Sequence, residues 1–112
     1  HPEFGLWHVY RAAFLFGEAI DLAPRANTPS PCDSCTNKPC LSVCPADAFL
    51  PDRFDAQACV SHVDSAAGTT CRERGCLARR ACPVGREYLY GKDQQAFHTA
   101  ALVSAVKRGY GV

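Results

Sequence analysis

Residues 32–45 read CDSCTNKPCLSVCP, four cysteines and a closing proline within fourteen positions. Cys59, Cys71, Cys76 and Cys82 follow downstream, so the 112-residue chain carries eight cysteines in all. Three chemistries use cysteine at such density. A disulfide framework suits an even count, but Cys32, Cys35, Cys40 and Cys44 are bunched too tightly to pair readily with one another, and no secretory signal is visible. Zinc suits the Cys32-x2-Cys35 half-site, and eight thiolates could close two tetrahedral sites. Zinc ribbons, however, bring together two short pairs, whereas here one half-site is followed by two single, widely spaced cysteines and Pro45. Iron–sulfur clusters suit the pattern best. The bacterial run is C-x2-C-x2-C-x3-C-P, whose fourth cysteine serves the other cluster. This chain has C-x2-C-x4-C-x3-C-P. Close spacing lets three thiolates wrap one cluster while Cys44 points away toward a second, and Pro45 suits a following helical turn. Eight cysteines fill two four-thiolate sites with none left over. The second half, Cys71-x4-Cys76-x5-Cys82-Pro83, is looser.

The bulk composition is that of an ordinary folded domain, with 47% hydrophobic and 21% charged residues. Its length provides for one small domain. A formal charge of +1 gives no reason to expect a nucleic-acid or membrane-surface partner. No apolar run approaches the roughly 18 residues of a bilayer span. The chain begins at His1 and contains no methionine, which reads as a processed or excised segment of a longer polypeptide. Thiolate clusters belong in reducing surroundings, so the expected compartment is the cytoplasm.

The periodicity predicts a mainly α fold with little or no sheet. An N-terminal helix is expected within residues 1–22, where Leu6, Tyr10, Ala13, Gly17 and Ile20 recur at steps of three or four and Val9, Phe14 and Phe16 widen the stripe. Pro24 ends it, and residues 23–31 form a proline-punctuated connector. The cluster-binding core spans residues 32–83. Within it, residues 46–50 read as a short helical turn, Pro51 and Asp52 as a turn, and Asp55 as the N-cap of a helix carrying Cys59. Residues 64–70 read as a loop, and residues 71–85 show no clear period. A C-terminal helix is expected over residues 93–108, with Phe97, Ala101, Leu102 and Val106 as its apolar face and Lys107 and Arg108 suited to its negative end.

In order, YRAAFLFGEAIDLAP, the cysteine run, FDAQACVSHV and a late group ending in Cys-Pro resemble the iron–sulfur region of epoxyqueuosine reductases and cobalamin-dependent reductive dehalogenases. The segments GLWHVYRAAF and CLARRACPVGR resemble those of small dicluster ferredoxin-like proteins. The likeness spans most of residues 5–98. It implies a loop-rich dicluster ferredoxin-like domain flanked by N- and C-terminal helices and holding two 4Fe–4S clusters. It also implies how the ligands divide: Cys32, Cys35, Cys40 and Cys82 on one cluster, Cys44, Cys59, Cys71 and Cys76 on the other. The implied activity is one-electron transfer to a redox partner protein or catalytic domain, as a carrier. The alternative is the iron–sulfur domain of a larger cobalamin-dependent type of reductase. The reductases carry their catalytic acid in a separate region with no counterpart here, and CPVG departs from their CPWN-like ending.

Other residues add less. Arg72, Arg74, Arg79, Arg80 and Arg86 form a basic run. A four-thiolate 4Fe–4S cluster carries roughly two negative charges, and two clusters would take the chain from +1 to about −3. The arginines therefore either offset that charge or form a solvated loop. His8, His62 and His98 are superfluous as ligands beside eight cysteines, and His62, three residues after Cys59, reads as an ordinary partly buried histidine ahead of a hydrogen-bond donor near that cysteine. Trp7, Tyr10, Phe14 and Phe16 read as core packing. Tyr88 and Tyr90 read either as shields for a cluster or as packing. No catalytic triad, phosphate loop or carboxylate pair is present, so the chain by itself shows no catalytic site.

Overall fold

Two four-to-five-residue helices organise the centre of the molecule. A computed structural model describes residues 1–24, 27–50 and 52–111. Pro39 opens the first of these helices, α1 (Pro39–Ser42), where its missing N–H costs no hydrogen bond. Lys38 precedes it in a left-handed conformation, φ 37°. The second is α4 (Leu77–Ala81), which packs against α1. Between them lie α2 (Ala56–Asp64), a 3₁₀ turn (Ala66–Gly68) and α3 (Thr69–Arg74). A second 3₁₀ turn (Arg86–Tyr88) leads into α5 (Lys92–Tyr110), which packs mainly on α3 and also on α2. The fold is mainly helical. The β pairing among the described residues is one isolated antiparallel bridge, Phe49 to Phe54.

That bridge replaces the helical turn expected over residues 46–50. The Leu50 N–H donates to the Arg53 carbonyl at 2.9 Å and the Asp55 N–H to the Ala48 carbonyl at 2.8 Å, closing a small hairpin over the fully buried Ala48. Two phenylalanines 5.1 Å apart, centroid to centroid, favour the pairing. Asp52 lies at the bend, while Pro51, Arg25 and Ala26 lie outside the described residues. Asp55 then caps α2, its Oδ1 accepting the Ala58 N–H at 2.9 Å.

Residues 64–85 depart from the sequence expectation. The loop expected over residues 64–70 contains the 3₁₀ turn and the start of α3. The aperiodic stretch from Cys71 divides into α3 and α4 with Gly75 between them. Gly75 has φ 79° and ψ −173°, a region essentially reserved for glycine. A Cβ there would also stand 2.6 Å from Gln95 Oε1.

The N-terminal helix expected within residues 1–22 is absent: residues 1–24 contain a turn near residues 2–6 and are otherwise irregular. Only the first eight residues join the body. Gly5 and Gly85 pass backbone against backbone, and a Cβ on Gly5 would lie 2.5 Å from the Val84 carbonyl oxygen. Trp7 is buried, whereas Tyr10, Phe14, Leu15 and Phe16 are exposed, so core packing holds for Trp7 and fails for Tyr10, Phe14 and Phe16. A helix apolar on several sides needs several partners. With no such packing, a single helix of this length is marginal in water. The arm accounts for a radius of gyration of 15.9 Å, against about 13 Å for a compact chain of this length.

The C-terminal helix begins one residue before the expected start and runs on to Tyr110. Its inward face differs from expectation. Val106 is buried, but Phe97 is 67% exposed and Ala101 and Leu102 are also exposed, while Gln95 lies inside. Gln95 is satisfied there because its Nε2 donates to the Tyr90 carbonyl at 2.5 Å. Lys107 pairs with Asp64 at the end of α2.

Replacing Gly75 with alanine should destabilise the folded chain by about 1–3 kcal/mol from backbone strain, with the Gln95 clash in addition. Gly109→Ala, inside α5 with nothing near its Cβ, should leave stability unchanged or slightly raised. Urea midpoints of the two variants provide the comparison.

Candidate metal centre

The eight thiols gather into two sets. Cys32 and Cys35 lie on the loop before α1, Cys40 on α1, and Cys82 at the C-terminal cap of α4. Together they line a cavity of about 220 Å³. Cys44 follows α1, Cys59 lies on α2, Cys71 on α3, and Cys76 at the N-cap of α4. Those four line a second cavity of about 70 Å³. The packing of α1 on α4 is what brings Cys82 to its sequence-distant companions. Each of these helices also carries a cysteine of one set at or near one end and of the other set at or beyond the opposite end.

The electrostatics follow the same grouping. The Cys40 thiol is pushed up by burial, then by Cys82 and Cys32, with a smaller effect of Cys35, against a lowering backbone hydrogen bond. Burial pushes Cys59 up to about 11, helped by Cys76, Cys44 and Cys71. Burial also raises Cys71, with Cys76 and Cys44 adding to it, while the Leu77 N–H and Arg72 pull the other way. Thiols that repel one another when ionised are ones a cation would hold together.

All eight cysteines are free thiols, and among the described residues no three Cys, His, Asp or Glu donors converge tightly enough for a single metal ion. Each set instead rings a cavity. Four thiolates around one cavity are enough in number for one 4Fe–4S cluster, each binding a different iron. The donor set fits as well, being four soft thiolates per cavity.

The second cavity has apolar walls, with Phe49, Phe54, Val63, Leu77, Ala78 and Leu102 around the thiols. His62 lies among them, three residues from Cys59. The first cavity includes Lys38 and Ser30. Sequence reasoning missed the two phenylalanines as cavity walls; two aromatics flanking Pro-Asp were the available signal.

The arginine run is neither simply solvated nor wholly devoted to the thiols. Arg79 Nε donates to the Leu6 carbonyl at 2.6 Å and Nη2 to the His8 carbonyl at 3.1 Å. Its guanidinium carbon lies 5.0 Å from the Trp7 ring centroid and 5.2 Å from that of Tyr90. Arg72 donates to the carbonyls of Val63 and Ser65, closing the C-terminal end of α2. Arg80 reaches the Arg74 carbonyl at 3.3 Å, and Arg74 and Arg86 are exposed. Tyr88 donates to Glu3 at 2.7 Å, and Tyr90 stacks on His98 with centroids 5.3 Å apart. Neither tyrosine lines either four-thiol cavity; Tyr88 packs against Phe4, and Tyr90 against Trp7 and His98. His8 Nδ1 sits 3.0 Å from the Gly5 carbonyl oxygen, away from both cavities.

Comparison with protein-family models, with curated proteins and with solved structures returned no match.

Raised thiols hold their protons at neutral pH, so metal uptake must release them. Apparent affinity should therefore climb with pH, by about tenfold per unit for each thiol that ionises on binding. Titrating the reduced chain with Co(II) at pH 6, 7 and 8, followed by thiolate charge-transfer absorbance, measures the slope. A flat profile would exclude these thiols as ligands.

Proposed function

We propose that the chain is a ferredoxin-like electron-transfer module holding two 4Fe–4S clusters, and that it delivers electrons singly to a redox partner protein or an adjoining catalytic domain. One observation carries this reading. Eight thiols separate into two sets of four, with Cys82 joining Cys32, Cys35 and Cys40 while Cys44 crosses to Cys59, Cys71 and Cys76. That crossover is the habit of two-cluster ferredoxins. The resemblance to dicluster proteins points the same way.

A bound cluster supplies one reversible electron with little change of geometry. The chain's own part is to hold and tune. Helices α1 and α4 fix the thiolates, so a change of charge moves the ligands little. The apolar walls of the second cavity keep water from its thiolates, which favours a low potential, while Lys38 beside the first favours a higher one. Iron–thiolate bonds also stand in for a larger core, so the metal-free chain is expected to be largely unfolded. Such thiolates are at home in a reducing compartment, the cytoplasm by default. Among the described residues no helix is long and apolar enough to cross a membrane.

The exposed apolar arm supports the second reading, in which this module belongs to a larger reductase. Tyr10, Phe14, Leu15 and Phe16 stand in water here and would be covered by an adjoining domain.

Anaerobic purification with iron and sulfide counting and EPR of the reduced state tests the proposal. About eight irons and a spectrum of two interacting clusters are expected. Cys40→Ser and Cys59→Ser should each impair one site and leave about four irons at the other. A zinc-loaded protein, or one retaining about eight irons in both variants, would overturn the assignment.

A further inference from the structure

A third cavity, of about 410 Å³, adjoins the second thiol set. Its volume falls within the roughly 300–1,000 Å³ of small-molecule sites. Rings from three parts of the chain wall it: Trp7 from the N-terminal segment, Phe49 and Phe54 from the hairpin, and Tyr90 and His98 from the C-terminal region. Arg79 lies on the same wall, its guanidinium held against Trp7 and Tyr90. Cys76, Phe49, Phe54, Thr99 and Leu102 are common to this cleft and the second thiol cavity, so a single layer of side chains separates the two.

We infer that this cleft binds a planar, conjugated, redox-active small molecule of the isoalloxazine or quinone class. Aromatic walls stack on flat rings. A fixed guanidinium favours an acceptor that gains negative charge on reduction, and Cys76 places the occupant one side chain from the second thiol set. The redox role rests on the electron-transfer reading, whereas the binding itself does not.

The test is equilibrium dialysis of the protein as isolated, with iron and sulfide measured in parallel. Riboflavin and a water-soluble naphthoquinone sulfonate serve as separate probes. Saturable retention of either probe is expected, and the probe retained identifies the class. His98→Ala removes one stacking wall and should weaken retention by about threefold to tenfold. Tyr110→Ala, exposed at the far end of α5, should leave it unchanged. Retention without iron would support the cleft while removing the electron-transfer reading. An iron-loaded protein that retains neither probe would overturn the inference alone, as it would if the chain's own arm filled the cleft. Retention that His98→Ala leaves untouched would also overturn it, because the probe would then be binding elsewhere.

Discussion

The packing of α1 on α4 is the constraint on which the rest of the molecule depends. Neither helix has enough turns to be stable alone, since fixing a first turn costs more than its few hydrogen bonds return. Each instead carries cysteines belonging to both thiol sets. Moving α4 away from α1 would take Cys82 from the first set and Cys76 from the second together. The two sites are therefore one mechanical unit: whatever binds at one cavity helps to hold the backbone of the other. The chain has little else to draw on. Among the described residues the largest buried apolar side chain is Trp7, and the other buried apolar ones are alanine, valine and two of the cysteines themselves. Burial on that scale falls short of the ordering entropy of a chain this long. Metal–thiolate bonds supply the remainder in the proposed account.

Around this centre, side chains that usually serve the surface do structural work. Arg72 closes the C-terminal end of α2, and Arg79 ties the first eight residues to α4. Both give their charge to backbone carbonyls in partly buried places, where charge-assisted hydrogen bonds are stronger than in water. The indole Nε1 of Trp7 is buried without a hydrogen-bond partner among the described residues. The N-terminal segment is held by the Arg79 hydrogen bonds and by Trp7 packing on Arg79 and edge-on against Tyr90, rather than by its own secondary structure, and it frays into the exposed arm where those contacts end.

The parts of the fold legible in the sequence are those governed by local rules. Asp55 announces α2 because a short side-chain carboxylate caps a helix with no help from elsewhere. The C-terminal helix is legible because nineteen residues are long enough for periodicity to show. Helices α3 and α4 are not, since six and five residues contain too few turns to establish a period. The N-terminal stripe misleads for the opposite reason: it has the right period and no surface to pack against. Gln95 misleads because a buried amide reads as polar until its partner, the Tyr90 carbonyl, is known. The cysteine motif points to the proposed metal sites, but only the fold brings Cys82 some forty residues back to Cys40.

The central claim is that two separate clusters share these two helices. Anomalous diffraction from crystals of anaerobically purified protein, collected at the iron absorption edge, tests it most directly. The account predicts two distinct iron peaks, one enclosed by Cys32, Cys35, Cys40 and Cys82 and the other by Cys44, Cys59, Cys71 and Cys76. A single peak, a zinc-edge signal in place of iron, or an exchange of Cys76 and Cys82 between the two sites would contradict it.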